Sequence, residues 1–364
     1  MLILLRYGKT QAIRMMEFDN AVFRDTLAGK HTHRPPVWFM RQAGRILPRY
    51  MKLREQYGFK DLMSQPELCA DVTIMPIEDL GVDAAILFSD ILVVPEALGM
   101  QLDFTDAGPV FDSPLKSNLE HAVSFLQPDE SKFDYIYKNI EVIRQKMPCN
   151  MPLIGFCGSP LTTMCYMVQG RSTNHTFPDA IDFVYKYPEV AERLLDIIAD
   201  ISIDYALGQI HSGIDAFQLF ETHAGLLPLE LYRSLVMPVV KKIANAVKQT
   251  GTPFIYFAKG LSVGLADFAD GSADFVSIDW QMPLPEAQKL VGEIVGLQGN
   301  IDPRMVNAPL DNLKVYLDNN YLPYGRGNDK WIFNLGHGFT PDIKWKHAKF
   351  VVDWVKTADW SPSC

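Results

Sequence analysis

Short apolar runs punctuate this chain, and amphipathic stretches separate them. Eight runs recur, over 37–40, 84–89, 153–157, 216–221, 254–257, 275–279, 294–298 and 331–335. They are rich in β-forming residues and nearly continuous in apolarity, the mark of parallel strands covered on both faces. Between them, apolar residues return at helical spacing. The pattern predicts helices over 66–80, opened by Pro66-Glu67 with Ser64 as cap, and over 133–147, 188–210, 229–249, 285–291, 310–319 and 344–355. Alternation of this kind, eight times over, predicts an α/β protein with a parallel sheet and helical crossovers. Eight units favour a single-domain (β/α)8 TIM barrel over 17–364 above an open doubly wound sheet. No Gly-x-Gly-x-x-Gly follows any run, which weakens the dinucleotide-binding form of the open sheet.

Two stretches depart from the repeat. Residues 92–130 exceed a minimal unit and predict an insertion after the second strand, a hairpin or irregular excursion that covers or shapes a site. The apolar run Met1-Leu-Ile-Leu-Leu5 is too short for a signal sequence and has no basic residue before it. Residues 1–16 are expected to be a disordered N-terminal extension.

Composition narrows the function. The chain has 364 residues, 48% hydrophobic and 21% charged, with a formal net charge of −9. That balance disfavours nucleic acid as partner, and no uninterrupted apolar span suits a membrane. Five scattered cysteines imply no disulfide framework; reduced thiols in a cytoplasmic protein are expected. No Cys-x-x-Cys pair or compact His/Cys cluster suggests zinc.

In a barrel, the site is built where strands finish. The first run delivers Arg41 and Arg45, four residues apart, with Gln42 and Gly44 between them and Pro48 ending regular structure. If the segment turns helically, both guanidiniums share a face and form a clamp for carboxylates or phosphates. Surface salt bridges are the competing reading. The second run delivers Asp90, which suits a general base, a metal ligand or an acceptor for N–H donors. Later runs deliver Tyr166, Glu221-Thr222-His223, Lys259, Asp279, Asp302 and His337. Lys259 suits a rim salt bridge as well as function, and Asp279 and Asp302 suit caps or braces. Cys157 and Cys165 suit packing. His337, between Gly336 and Gly338, is favoured as functional. Asp90, Glu221, His223 and His337 offer metal donors, at unspecific spacing. The residues alone therefore stop at a barrel enzyme with an anion clamp, a carboxylate and a histidine.

Six motifs in order carry a resemblance. They are Met40-Arg-Gln-Ala-Gly-Arg45, Asp83-Ala-Ala-Ile-Leu-Phe-Ser-Asp90 with Ile91 to Pro95, Pro152 to Phe156 with Tyr166 to Gly170, Leu219-Phe-Glu-Thr-His-Ala-Gly225, Leu297 to Pro303, and Asn334-Leu-Gly-His-Gly338. Together they resemble the uroporphyrinogen decarboxylase family from about Phe18 to about Val355. The resemblance implies a one-domain (β/α)8 barrel, a homodimer, that needs no cofactor. It implies decarboxylation of the four acetate side chains of uroporphyrinogen III to give coproporphyrinogen III. It places Asp90, Arg41, Tyr166 and His337 at catalytic positions. Gln42, Arg45, Phe88, Phe156, Phe220 and Thr222 join them around the substrate. Asp90 would accept the central pyrrole N–H donors. Arg41 is the family's leading proton donor, although a guanidinium is a weak acid; His337 is the second, with carboxylate binding its favoured role. Departures are Ile46 for a usual tyrosine, Thr222 for serine in some members, and the stretch Gly170 to His175. The main alternative is a methyltransferase with a His-x-Cys zinc site, and no His-x-Cys occurs here. A non-catalytic tetrapyrrole-binding barrel is the other.

Overall fold

The computed structural model describes residues 21–105, 108–172 and 176–362; the extension expected over 1–16 lies outside them. Nine strands occur among the described residues: β1 (Ala85–Ile86), β2 (Leu102–Thr105), β3 (Gly108–Phe111), β4 (Leu153–Gly158), β5 (Ala216–Glu221), β6 (Phe254–Ala258), β7 (Phe275–Ser277), β8 (Gly296–Ile301) and β9 (Trp331–Leu335). Seven form one curled parallel sheet in the order β1-β4-β5-β6-β7-β8-β9. Those seven strands are buried at almost every position, with helices between successive strands, as two-sided coverage requires. The other two, β2 and β3, pair antiparallel as a separate ribbon.

The run over 37–40 does not form a strand. Val37 makes a single parallel bridge to Phe333 of β9. Phe333 N–H donates to the Pro36 carbonyl at 2.8 Å, and Asp83 N–H, just before β1, donates to the Val37 carbonyl at 2.8 Å. This segment therefore spans the interval between the two edge strands of the sheet. Its regularity fails for chemical reasons. Pro35 and Pro36 bring no N–H, and at Met40 the ladder passes to a side chain, Met40 N–H donating to Asn334 Oδ1 at 3.1 Å. Two buried groups pin the segment from below. Arg34 makes a two-pronged contact with Asp83 at 2.7 and 2.9 Å, and Asp83 also accepts from Val37 N–H at 2.8 Å.

Other expectations shift in detail. The run over 84–89 shortens to Ala85–Ile86, and that over 275–279 ends at Ser277. The run over 294–298 slides forward to Gly296–Ile301, and Ile294 is left 63% exposed. Ser64 caps nothing: it ends a short helix, Phe59–Ser64, and the next helix, Pro66–Asp79, has Gln65 at its N-cap with no side-chain bond. Pro48 opens the helix Pro48–Arg54 at its first turn, where its missing N–H costs nothing, and so does not end regular structure. The helix over 229–249 is broken into Leu229–Leu231, a π turn Tyr232–Val236, and Met237–Lys248. Pro238, which cannot donate to the ladder, follows the π turn.

Inside the sheet's curl, a chain of polar side chains links three elements. Trp38 Nε1–H donates to Gln298 Oε1 at 3.0 Å, and Gln298 Nε2–H donates to Gln218 Oε1 at 3.1 Å. This chain ties the bridging segment to β8 and β8 to β5, and all three residues are fully buried. The carboxyl ends of the strands open on one cavity.

Candidate active site

The cavity is about 500 Å³, within the size range of small-molecule sites. Arg41, Arg45, Phe88, Asp90, Phe156, Tyr166, Phe220, Thr222 and His337 all line it. Nine of the ten residues placed at the site from sequence therefore converge. The tenth, Gln42, does not. It is fully buried behind the wall, where Oε1 accepts from Phe39 N–H and Nε2–H donates to the Ala84 carbonyl, each at 3.0 Å. Both ends of the amide hold backbone, so Gln42 shapes the bend that presents Arg41.

That bend is a turn, not a helix. Arg41 has φ of 62°, a left-handed conformation rare for a side chain of this size. The arginines thus reach one cavity by a turn, not by sharing a helical face. Gly338 explains how Arg41 fits. A Cβ built on Gly338 would lie 2.4 Å from Arg41 Cδ and 2.6 Å from its Cγ, so the arginine stem packs directly on that glycine's backbone. Among the described residues neither Arg41 nor Arg45 has a hydrogen bond or ion pair. Their neighbours differ: Arg34 is held by Asp83, and Arg49 by Glu78 and Asp79 at 2.5 and 2.9 Å. The salt-bridge reading therefore fails for the two cavity arginines, and the anion-clamp reading gains.

Among the described residues Asp90 is the only acid lining the cavity. One carboxylate oxygen accepts from Leu92 N–H at 2.9 Å. Burial pushes its carboxyl up to about 6, against the opposing pull of that N–H and of the Arg41 charge. Aromatic rings surround it. Phe88 meets Tyr50 and Phe59 edge-on, at 5.8 and 5.4 Å between centroids. On the other wall Phe156, Phe220 and Phe257 form an edge-to-face series at 5.5 and 5.9 Å. Tyr50, Phe59 and Phe257 were not singled out from sequence; an aromatic in a helix or mid-strand carries no local mark of facing a cavity.

Tyr166 projects from the helix Pro160–Gln169 and stands edge-on against Phe177 at 4.8 Å. Burial, then the Asp90 charge, raises its phenol above the ordinary range, so it is a protonated donor. His337 is pushed down to about 3 by burial, with the Arg41 and Lys259 charges adding to the shift. In the unliganded site this favours the neutral ring.

Thr222 is placed by a buried acid. Its N–H donates to Thr162 Oγ1 at 3.0 Å, and the Thr162 hydroxyl donates to Glu221 Oε1. His223 N–H reaches the same Glu221 oxygen at 3.4 Å. Glu221 is fully buried, and burial lifts its carboxyl to about 7. Both contacts use Oε1; Oε2 is buried with no hydrogen-bond partner among the described residues. Among the described residues no three His, Cys, Asp or Glu side chains converge on a metal position. Asp279 and Asp302 are braces, as expected: Asp279 accepts from Gly260 and Gln281 N–H, and Asp302 from Arg304 N–H. Cys157 and Cys165 are free and fully buried, with thiols pushed up, Cys157 to about 12, which suits packing. Among the described residues no helix is long and apolar enough to cross a membrane.

Fold and site together define a TIM-barrel-like α/β enzyme whose apolar cavity holds, among the described residues, one carboxylate and two arginines without ion pairs. Comparison with known proteins makes this specific. The family model described as "Uroporphyrinogen decarboxylase (URO-D)" matches residues 18–358, and the chain belongs to that family. The uroporphyrinogen decarboxylase of Pelobacter propionicus is 37% identical over 337 residues, covering 93% of this chain and 98% of its own. That of Geobacter sulfurreducens is 37% identical over 336 residues, covering 92% and 98%. Among solved structures, a methyltransferase from Methanosarcina mazei shares the fold with a TM-score of 0.75, at 19% identity, covering 93% of this chain and 98% of that one. A B12-independent methionine synthase from Shewanella matches with a TM-score of 0.56 at 14% identity, covering 83% and 90%.

Proposed function

We propose that the protein is a uroporphyrinogen decarboxylase of porphyrin and haem biosynthesis, removing carbon dioxide from the four acetate side chains of uroporphyrinogen III to leave methyl groups and coproporphyrinogen III. The observation that carries this reading is the carboxylate of Asp90, solitary among the described residues of an aromatic-walled cavity, beside two arginines that have no partners among them. The substrate has the complementary form: four pyrrole N–H donors at its centre and carboxylates around its edge. Asp90, ionised above about pH 6, accepts from the pyrroles while Arg41 and Arg45 hold carboxylates.

The chemistry follows from the substrate's own electrons. A proton adds to the ring α-carbon next to the one that bears the acetate, leaving a cation conjugated through the acetate-bearing carbon. The bond between the acetate methylene and its carboxylate breaks; its electron pair moves into the ring and carbon dioxide leaves. A second proton adds to the exocyclic methylene carbon, and loss of the first restores the pyrrole with a methyl group. Each cycle consumes one proton per carbon dioxide released. Asp90 lies where the cation forms and stabilises it electrostatically in a site of low polarity. The ring is its own electron sink, so no cofactor enters this reading. Arg41 orients the reacting acetate. Neutral His337, the Tyr166 hydroxyl and Thr222 hydrogen-bond substrate edges, and Phe88, Phe156 and Phe220 supply apolar walls.

In this reading the bridging segment at Val37 stands as the first of eight strands in a (β/α)8 barrel. Residues 92–130 are the insertion after the second, and Pro109 of its ribbon contributes to the cavity wall. The enzyme acts as a cytoplasmic homodimer, which sedimentation of purified protein tests. The deciding assay is anaerobic incubation of chelator-treated protein with uroporphyrinogen III, the oxidised products being separated by carboxyl number. Hepta-, hexa-, penta- and tetracarboxylate species in succession are expected. An unchanged octacarboxylate in the presence of folded protein refutes the reading.

A further inference from the structure

Two arginines are few for a substrate with eight carboxylates, which directs attention to cations at the rim beyond the cavity lining. Lys259 follows β6. Counting around the sheet from the bridging segment, through β1, β4 and β5 or through β9, β8 and β7, β6 is the farthest strand either way. Lys259 thus rises on the side of the mouth opposite Arg41 and Arg45. Its main chain is fixed on both sides: its N–H donates to the Glu221 carbonyl at 3.0 Å, and its carbonyl accepts from Gly225 N–H at 3.1 Å. Gly260 N–H, next in the chain, donates to Asp279 at 2.6 Å.

The side chain has no carboxylate partner. Among the described residues Lys259 makes no ion pair, whereas Lys241 and Lys248, on the helix before it, are paired with Asp270 and Asp274. Asp279, whose oxygens hold Gly260 and Gln281, offers it no ion pair. The ammonium lies instead over the Trp280 ring, 5.9 Å from its centre. A cation held by an aromatic face keeps its charge and remains available to an anion. It is also near enough to His337, which lines the cavity, for its charge to act on that ring.

We propose that Lys259 is a substrate-binding residue, gripping a carboxylate on the side of the macrocycle opposite the one held by Arg41 and Arg45, with Trp280 as its support. This rests on the tetrapyrrole reading of the cavity. Clamped across its full width, the macrocycle would be centred over Asp90.

The test compares wild type, Lys259→Met and Lys259→Arg on uroporphyrinogen III, at several salt concentrations. Lys259→Met should raise KM roughly tenfold, the scale of one charge-assisted contact, with kcat within about twofold. Its kcat/KM should depend less steeply on salt, and Lys259→Arg should restore most of the affinity. Unchanged KM and salt dependence in folded Lys259→Met overturn the proposal while leaving the decarboxylase reading intact. Wild type without turnover of uroporphyrinogen III removes both. Should Lys259→Met not fold, wild type decides: brief anaerobic acetylation with peptide mass readout should show Lys259 protected by uroporphyrinogen III. Equal labelling with and without it overturns the proposal.

Discussion

The proposed reaction rests on one carboxyl, that of Asp90, whose charge is expensive to maintain. Its burial predicts both a pH limb and a trade between stability and activity. If the ionised form is the active one, kcat/KM should fall about tenfold per unit as pH drops below about 6, where the free enzyme's carboxyl protonates. The sign for stability is opposite. A carboxyl raised in the folded state favours the fold most when protonated, below its unfolded value, and that contribution is lost as pH rises through about 6. Asp90→Asn should therefore melt higher than wild type at pH 8 while losing at least ~1000-fold in turnover, the scale of removing a preorganised charge at a developing cation. A variant with wild-type turnover would end the role given to Asp90. Arg41→Ala should chiefly raise KM, with weak binding retained. A fall in kcat at unchanged KM would instead make Arg41 a group acting in the transition state.

At the scale of elements, the site depends on bends at strand ends, and these bends are held by buried polar groups. Two variants separate holding from catalysis. Glu221→Gln keeps an acceptor for the Thr162 hydroxyl and should retain activity within a few-fold. Glu221→Leu strands that hydroxyl and frees the bend carrying Thr222; it should cost about 1–3 kcal/mol of stability and raise KM, as thermal melting and steady-state kinetics will show. Equal effects of the two would mean that the carboxylate's charge matters, not its geometry.

The same bends mark the limit of what the sequence discloses. Strands at 216–221 and 331–335 were legible to the residue, because apolar runs bounded by polar turns leave one reading. The strand near 296 was misplaced because Gly299 and Asn300 are poor β-formers that continue it. Gly296 belongs to it because the Phe275 ring occupies the space where a Cβ would stand, at 2.2 Å. That Arg41 and Arg45 reach one cavity was legible, but the conformation that brings them there was not. The left-handed turn is imposed by Gln42, Asn334 and Gly338, which are distant in sequence or look polar and exposed. Gln42 was read as a site residue for the same reason: an amide between two arginines gives no sign that both its ends hold main chain.

For the whole molecule, the interval between β9 and β1 is the vulnerable join. Only sparse backbone bonds cross it through Val37, and the buried Arg34–Asp83 pair supports them from below. Asp83→Leu would leave a buried guanidinium without its anion, a loss of about 3–5 kcal/mol, and the melting temperature should drop by about 4–7 °C. A drop of less than about 2 °C would show that the join is held by packing alone. Surface pairs such as Lys186–Asp182 should contribute little by the same measurement.

The seat of Arg41 on Gly338 has a consequence for how such chains can be recombined. The two positions come from opposite ends of the polypeptide, and each constrains the other: no side chain can stand at 338 while that arginine lies there. A chimera that takes its first quarter from one relative and its last from another inherits a working mouth only when both parents share this fit. Crossovers anywhere between the two are safe or ruinous together, so they serve as a single unit of inheritance although nearly the whole chain separates them.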